Sequence, residues 1–204
     1  MAEGDSHRAR THFEQALEVA RSTPGGEWLL SHALAGLAPV AAQLGDSAYA
    51  LRTAEEAVSS ARPFAARAVL AMALARAAEA AVLADVHVAA TDALDELLTL
   101  LLDLGTRRWA ADALEMVTIV LESRGQHPEA VLAFGASEAL REAAGGQGPS
   151  LRAVAKHVRR SASRLREALG PDGFGTYDDR GRSLSPEVAM ADMVVALRVA
   201  VERA

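Results

Sequence analysis

Apolar residues recur at three- and four-residue spacing through most of the chain, the periodicity of helices with a buried face rather than the alternation of strands. Long apolar runs cover Glu27 to Leu44, Phe64 to Leu83 and Thr106 to Ser123, and each leads through a short polar break into a more amphipathic stretch. The breaks resemble one another. GDSHRARTHFEQAL begins at Gly4, GDSAYALRTAEEAV at Gly45, ADVHVAATDALDEL at Ala84 and GQHPEAVLAFGASEAL at Gly125, at spacings of 41, 39 and 40 residues. Every copy opens on a turn pair and carries alanine five positions on, at Ala9, Ala50, Ala89 and Ala130, where a partner helix can approach closely. A glycine in the pair supplies the positive φ that stops one helix, and the aspartate after it can cap the next. Helix, tight turn and second helix therefore make a unit of about 40 residues, with units divided at Thr23-Pro24-Gly25-Gly26, Arg62-Pro63 and Leu104-Gly105-Thr106. Such units stack because one alone cannot bury its apolar face. The expected fold is an all-α, right-handed helical-repeat solenoid of eight or nine helices, with repeats over 1–145.

Residues 146–204 change pattern and read as C-terminal capping helices of the same continuous domain. Gly145-Gly146-Gln147-Gly148-Pro149 ends a helix, and another runs from Pro149 or Ser150 to about Leu169. The glycine-rich GPDGFGTYDDRGRSLSP, from Gly170, then reads as a joint before a last helix, for which Ser185 is the N-cap, Pro186 the first helical residue and Glu187 the acidic group at the positive end of the dipole.

Composition narrows the chemistry. Half the residues are hydrophobic, few are aromatic and alanine is the commonest, which favours helices. There is no cysteine, so neither disulfides nor thiolate metal sites arise. The polar amino terminus lacks the apolar core of a signal peptide, and Arg67, Arg76 and Glu79 interrupt the most apolar stretch, so a cytoplasmic protein without membrane spans is expected. A net charge of -6 disfavours a nucleic-acid coat.

The C-terminal residues carry a resemblance. ASEALRE (Ala136 to Glu142), a glycine-proline break, LREALG (Leu165 to Gly170), Phe174, Tyr177 and GRSLSPEVA (Gly181 to Ala189) resemble the end of the helical region in actinobacterial LuxR-type and AfsR-type transcriptional regulators and related ATPase fusions, and the 40-residue units resemble tetratricopeptide-like repeats. The resemblance implies a non-enzymatic sensor or protein-interaction region, standing beside a nucleotide-binding domain. No G-x-x-x-x-G-K-[ST] occurs in this chain. It reads either as a fragment of such a regulator or as a free-standing adaptor.

The Gly170 to Gly175 segment follows a helix rather than a strand and precedes Asp178-Asp179, which would repel phosphate, so it is read as structural. The six histidines show no i, i+4 pair or H-E-x-x-H, and no cofactor or metal is expected. A concave groove should be lined by the first helix of each unit. Counting back from the turns brings Trp28, Arg67 and Arg108 into register, then His32, Ala71 and Asp112, with Arg76, Glu79 and Trp109 nearby. Such a groove would take a peptide, a protein or a small effector. Finally, 151–169 is a basic amphipathic helix bearing Arg152, Lys156, Arg159, Arg160, Arg164 and Arg166 over a stripe of Leu151, Val154, Val158 and Leu165. Pairing with the chain's own acidic surface is the expected role, direct DNA contact the alternative, and a homodimer through exposed helices fits as well.

Overall fold

The computed structural model describes residues 3–145 and 153–201. Among them stand nine α-helices and no strand: α1 (Glu3–Ser22), α2 (Glu27–Gln43), α3 (Ser47–Ala61), α4 (Arg67–Leu83), α5 (His87–Leu104), α6 (Ala110–Ser123), α7 (His127–Ala143), α8 (Ala155–Ser183) and α9 (Pro186–Val201). The chain is all-α and of the helical-repeat class, as its periodicity predicts. It divides into two compact units, Met1–Ala93 and Leu94–Ala204, the division falling inside α5. The glycine-rich break around 146–149, Leu151 and Arg152 lie outside the described residues.

The turns after α2, α4 and α6 share one hydrogen-bonding pattern. Backbone N–H groups of Asp46, Val86 and Gln126 donate five residues back, to the carbonyls of Ala41, Ala81 and Leu121 at 3.0, 2.9 and 3.0 Å. The N–H groups of Gly45, Asp85 and Gly125 donate three residues back, to Ala42, Val82 and Glu122. This reciprocal closure puts the inner residue in the left-handed region, with φ of 85°, 60° and 74° at Gly45, Asp85 and Gly125. The repeat is therefore spaced by 40 residues at each of these steps, and pairing Ala84 with Gly45 sets the third copy one residue out. Aspartate tolerates the left-handed region better than most residues, so Asp85 takes the place of a glycine. Correct register brings Ala50, Ala90 and Ala130 to matching positions, each with 0% exposure. The first copy departs further, because Gly4 and Asp5 lie inside α1 and make no turn. Asp46 caps as expected, its side chain accepting from the Tyr49 N–H at 3.3 Å.

Within the first unit, α2 packs against α1, α3 and α4. On α3 the buried positions are Ala50, Thr53, Ala54, Ala57 and Ala61, one stripe at helical spacing. Leu17 of α1 joins Leu34, Leu37 and Ala57 in a core closed by Phe13, Leu30, Tyr49 and Met72. Full burial of Leu34 and Leu37 contributes about 1.5–3 kcal/mol each. Ser31 adds a buried bond from α2 to the Ala57 carbonyl (3.3 Å).

In the second unit, α6 packs against α7, α8 and α9, and every residue from Asp112 to Leu121 is buried. α9 is held at three points: Glu187 accepts from Arg107 at 3.0 Å, Arg198 donates to both carboxylate oxygens of Asp95 at 2.8 and 3.2 Å, and the Ala196 carbonyl accepts from Gln126 at 3.4 Å.

The glycine-rich segment expected as a joint is largely helical. α8 breaks at Gly170 alone, where φ is 69° and ψ is 167°, and a second arm runs over 171–183. Pro171 starts that arm at the position proline tolerates best, and Arg180 and Arg182 end it beside the negative pole of its dipole. Interior glycines at 173, 175 and 181 weaken a helix by about 1 kcal/mol each. Packing against α7 overrides that cost. A Cβ on Gly181 would strike the Leu132 carbonyl, and a Cβ on Gly135 would strike that of Asp178, so the two backbones touch where side chains are missing. Phe134 and Phe174 meet at 5.9 Å, and Arg182 bridges Glu142 (2.8 Å) and Asp178 (3.1 Å) across the same contact.

Candidate functional site

The helices expected to line a groove are closed along much of their length. Between Ala33 and Ala42 only Gly36 is partly exposed, and Phe13 packs where its side chain would stand. Between Ala71 and Val82 only Met72 and Arg76 reach solvent, and on α6 none of Asp112 to Leu121 does. What opens to solvent is the first turns of α2 and α4, whereas α6 is covered from its first residue and the exposed Arg107 and Arg108 lie ahead of it.

In the first unit, Trp28 on the opening turn of α2 is 51% exposed and packs on His32 one turn later, with ring centroids 4.6 Å apart. On neighbouring α4, Arg67 is exposed in the first turn, while Arg76 donates to Glu79 at 2.6 Å. Glu79 is 3% exposed and so belongs to the interior; the side chain of Arg76 stays 41% exposed. The corrected register matters here. Trp28 and Arg108 correspond to Ala68, with Arg67 one place before it, and His32 and Asp112 correspond to Met72, not Ala71. Elsewhere in this unit a depression of about 390 Å³ lies between α1 and α3, lined by Glu14, Leu17, Glu18, Arg21, Ser22 and Tyr49. No spacing in the sequence pointed to it, because its lining comes from two helices of separate repeats.

In the second unit, Trp109 caps α6 in the left-handed region, φ 64° and ψ -2°, which a bulky residue seldom occupies. The exposed Arg108 guanidinium lies over its ring at 4.7 Å. One turn into α6, Asp112 is buried with Glu115, and both meet Arg141 of α7. Arg141 Nε donates to Glu115 Oε1 at 2.7 Å and Nη2 to Asp112 Oδ1 at 2.9 Å. Glu115 Oε2 lies 2.6 Å from the same Nη2 but out of line for a hydrogen bond. Two buried carboxylates thus share one guanidinium. Burial, with Asp112 and Glu138 adding the same way, holds the Glu115 carboxyl above its usual range against the opposing pull of Arg141. Sequence reasoning named Asp112 but missed Glu115 and Arg141, since their partnership depends on the α6–α7 contact.

The basic helix is the first arm of α8. Its stripe is buried as expected, Val154 and Leu165 at 0% and Val158 at 6%. Own-chain pairing holds for Arg164, 3.6 Å from Glu122 of α6, and Arg166 stacks over Phe174 at 4.3 Å. Lys156, Arg159 and Arg160 face solvent. Among the described residues no cluster of three metal-binding side chains occurs, and no helix is long and apolar enough to cross a membrane.

A family model for the tetratricopeptide repeat matches residues 1–62. No curated protein and no solved structure matches the chain.

Proposed function

We propose that this chain is a non-catalytic interaction module that docks a protein or peptide partner on the open first turns of α2 and α4. The observation that carries this reading is the Trp28–His32 pair. A large aromatic side chain left half in water, braced by a second ring at the open end of a helix whose remainder, Ala33 to Ala42, is buried but for Gly36, is the residue type that dominates partner-binding energy. Arg67 and Arg76, on the helix packed beside it, supply hydrogen-bond donors for carboxylates or backbone carbonyls of the bound segment. The match of the repeat family to residues 1–62, which include α2, supports an interaction role for this region. The C-terminal motifs support the finer reading of a sensor or interaction region of a bacterial transcriptional regulator acting in the cytoplasm, with a free-standing adaptor as the simpler form of the same module.

The test is capture of the tagged chain from its host, with wild type and the Trp28→Ala, His32→Ala variant run side by side and weighed by mass spectrometry. A stoichiometric companion held by wild type and lost by the variant is the expected result. Loss of an interface tryptophan costs about 2 kcal/mol or more, roughly a 30-fold weakening. Equal retention by both proteins excludes this edge. The mass of the captured polypeptide separates a short adaptor from a long regulator.

A further inference from the structure

A second surface, on the first arm of α8, bears chemistry that the Trp28 edge does not use. The arm is anchored from behind by Val154, Val158, Ala162 and Leu165, and Ser161 donates to Glu122 of α6 at 3.0 Å. Its opposite side carries Lys156, Arg159 and Arg160, all exposed. At 100° per residue these three fall within about 100° of one another, on one face and within two turns. Of the other cations on the arm, Arg164 is engaged by Glu122 and Arg166 by Phe174. The chain as a whole has a net charge of -6, so this cationic face stands against the overall charge.

We infer that Lys156, Arg159 and Arg160 form a docking face for an acidic peptide segment of another protein. Charge complementarity selects an anion, and the dimensions of the face select its kind. From Lys156 to Arg160 the helix rises only about 6 Å. Three cations in that span meet one or two phosphates of a duplex, whereas DNA-binding proteins of useful affinity make about 6–10 phosphate contacts. The one ring among the three, His157, is half-buried, and no Phe, Tyr or Trp stands beside them to stack single-stranded bases. A short run of glutamates or aspartates needs no more than this patch: in extended form it places about two carboxylates within those 6 Å, and arginine engages a carboxylate through two parallel hydrogen bonds.

This inference does not rest on the Trp28 edge, and the experiment uses a different probe. A fluorescein-labelled deca-glutamate peptide is titrated with the whole chain by fluorescence anisotropy at low and moderate salt, beside a labelled 20-base-pair duplex, for wild type and for the Lys156→Glu, Arg159→Glu, Arg160→Glu variant. Wild type should bind the peptide with an affinity that weakens as salt rises, and the variant should lose at least roughly tenfold while keeping its helical circular dichroism. Absence of peptide binding at low salt, or equal binding by both proteins, overturns the inference. Tighter binding of the duplex than of the peptide overturns it in favour of nucleic acid. A salt-sensitive dimer in light scattering that the variant abolishes overturns it in favour of a second copy of this chain.

Discussion

Replacing Arg141 with methionine removes the guanidinium that is hydrogen-bonded to the buried carboxylates of Asp112 and Glu115. The two carboxylates are 8% and 6% exposed and the arginine 11%, so solvent screens little of the interaction. Breaking a buried pair from one side leaves the partner charges uncompensated and costs about 3–5 kcal/mol. In a chain of this length that lowers the melting temperature by roughly 6–20 °C at pH 7. The loss should depend on pH in a definite direction. Glu115 in the folded protein holds its proton more tightly than a free glutamate, first through burial. Its contribution is therefore most favourable below about 4.5 and declines as pH rises toward the raised folded value. Arg141 opposes that rise through both hydrogen bond and charge, so the variant extends the decline to higher pH. Denaturant melts of wild type and Arg141→Met at pH 4.5 and pH 7 should show a deficit at neutral pH that shrinks by half or more at the lower. Replacing all three groups together, Asp112→Leu, Glu115→Leu and Arg141→Met, should restore most of the stability, because an apolar core substitutes for a buried ion cluster at little net cost. A variant melting within about 2 °C of wild type at pH 7, or a deficit independent of pH, refutes this account.

Asp85→Gly should stabilise by about 0.5–1 kcal/mol in thermal melts, since Asp85 holds the conformation that Gly45 and Gly125 hold in the other two turns; Gly125→Ala should destabilise by a similar amount. Gly181→Val drives a side chain into the Leu132 carbonyl and should cost about 1–3 kcal/mol, read as faster hydrogen exchange in α7 and the second arm of α8, whereas Gly175→Ala, with nothing within 4 Å, should be neutral or stabilising. Trp28→Ala should leave the melting temperature within about 1–2 °C of wild type while removing the partner, since surface changes usually stay within 0.5 kcal/mol.

Local chemistry along the chain determined the helices, their 40-residue spacing and the breaks at Pro24-Gly25, Arg62-Pro63 and Gly105, because these depend on periodicity and on which residues accept a left-handed turn. It also marked the basic face of α8, an exposed feature that needs no partner to be seen. The register at Asp85 was legible only in the backbone: aspartate and glycine both fit the turn, and the hydrogen bonds to Val82 and Ala81 decide which residue occupies it. The helical state of 171–183 was decided by tertiary contact, since glycines that weaken a lone helix are what let Gly135 and Gly181 bring two backbones together. Arg141 reaches Glu115 and Asp112 from 26 and 29 residues away, a separation that no local pattern encodes. Solvent access along α2, α4 and α6 was likewise a matter of packing. A helical period identifies which face is apolar, while the number of neighbouring helices determines how much of the rest is covered.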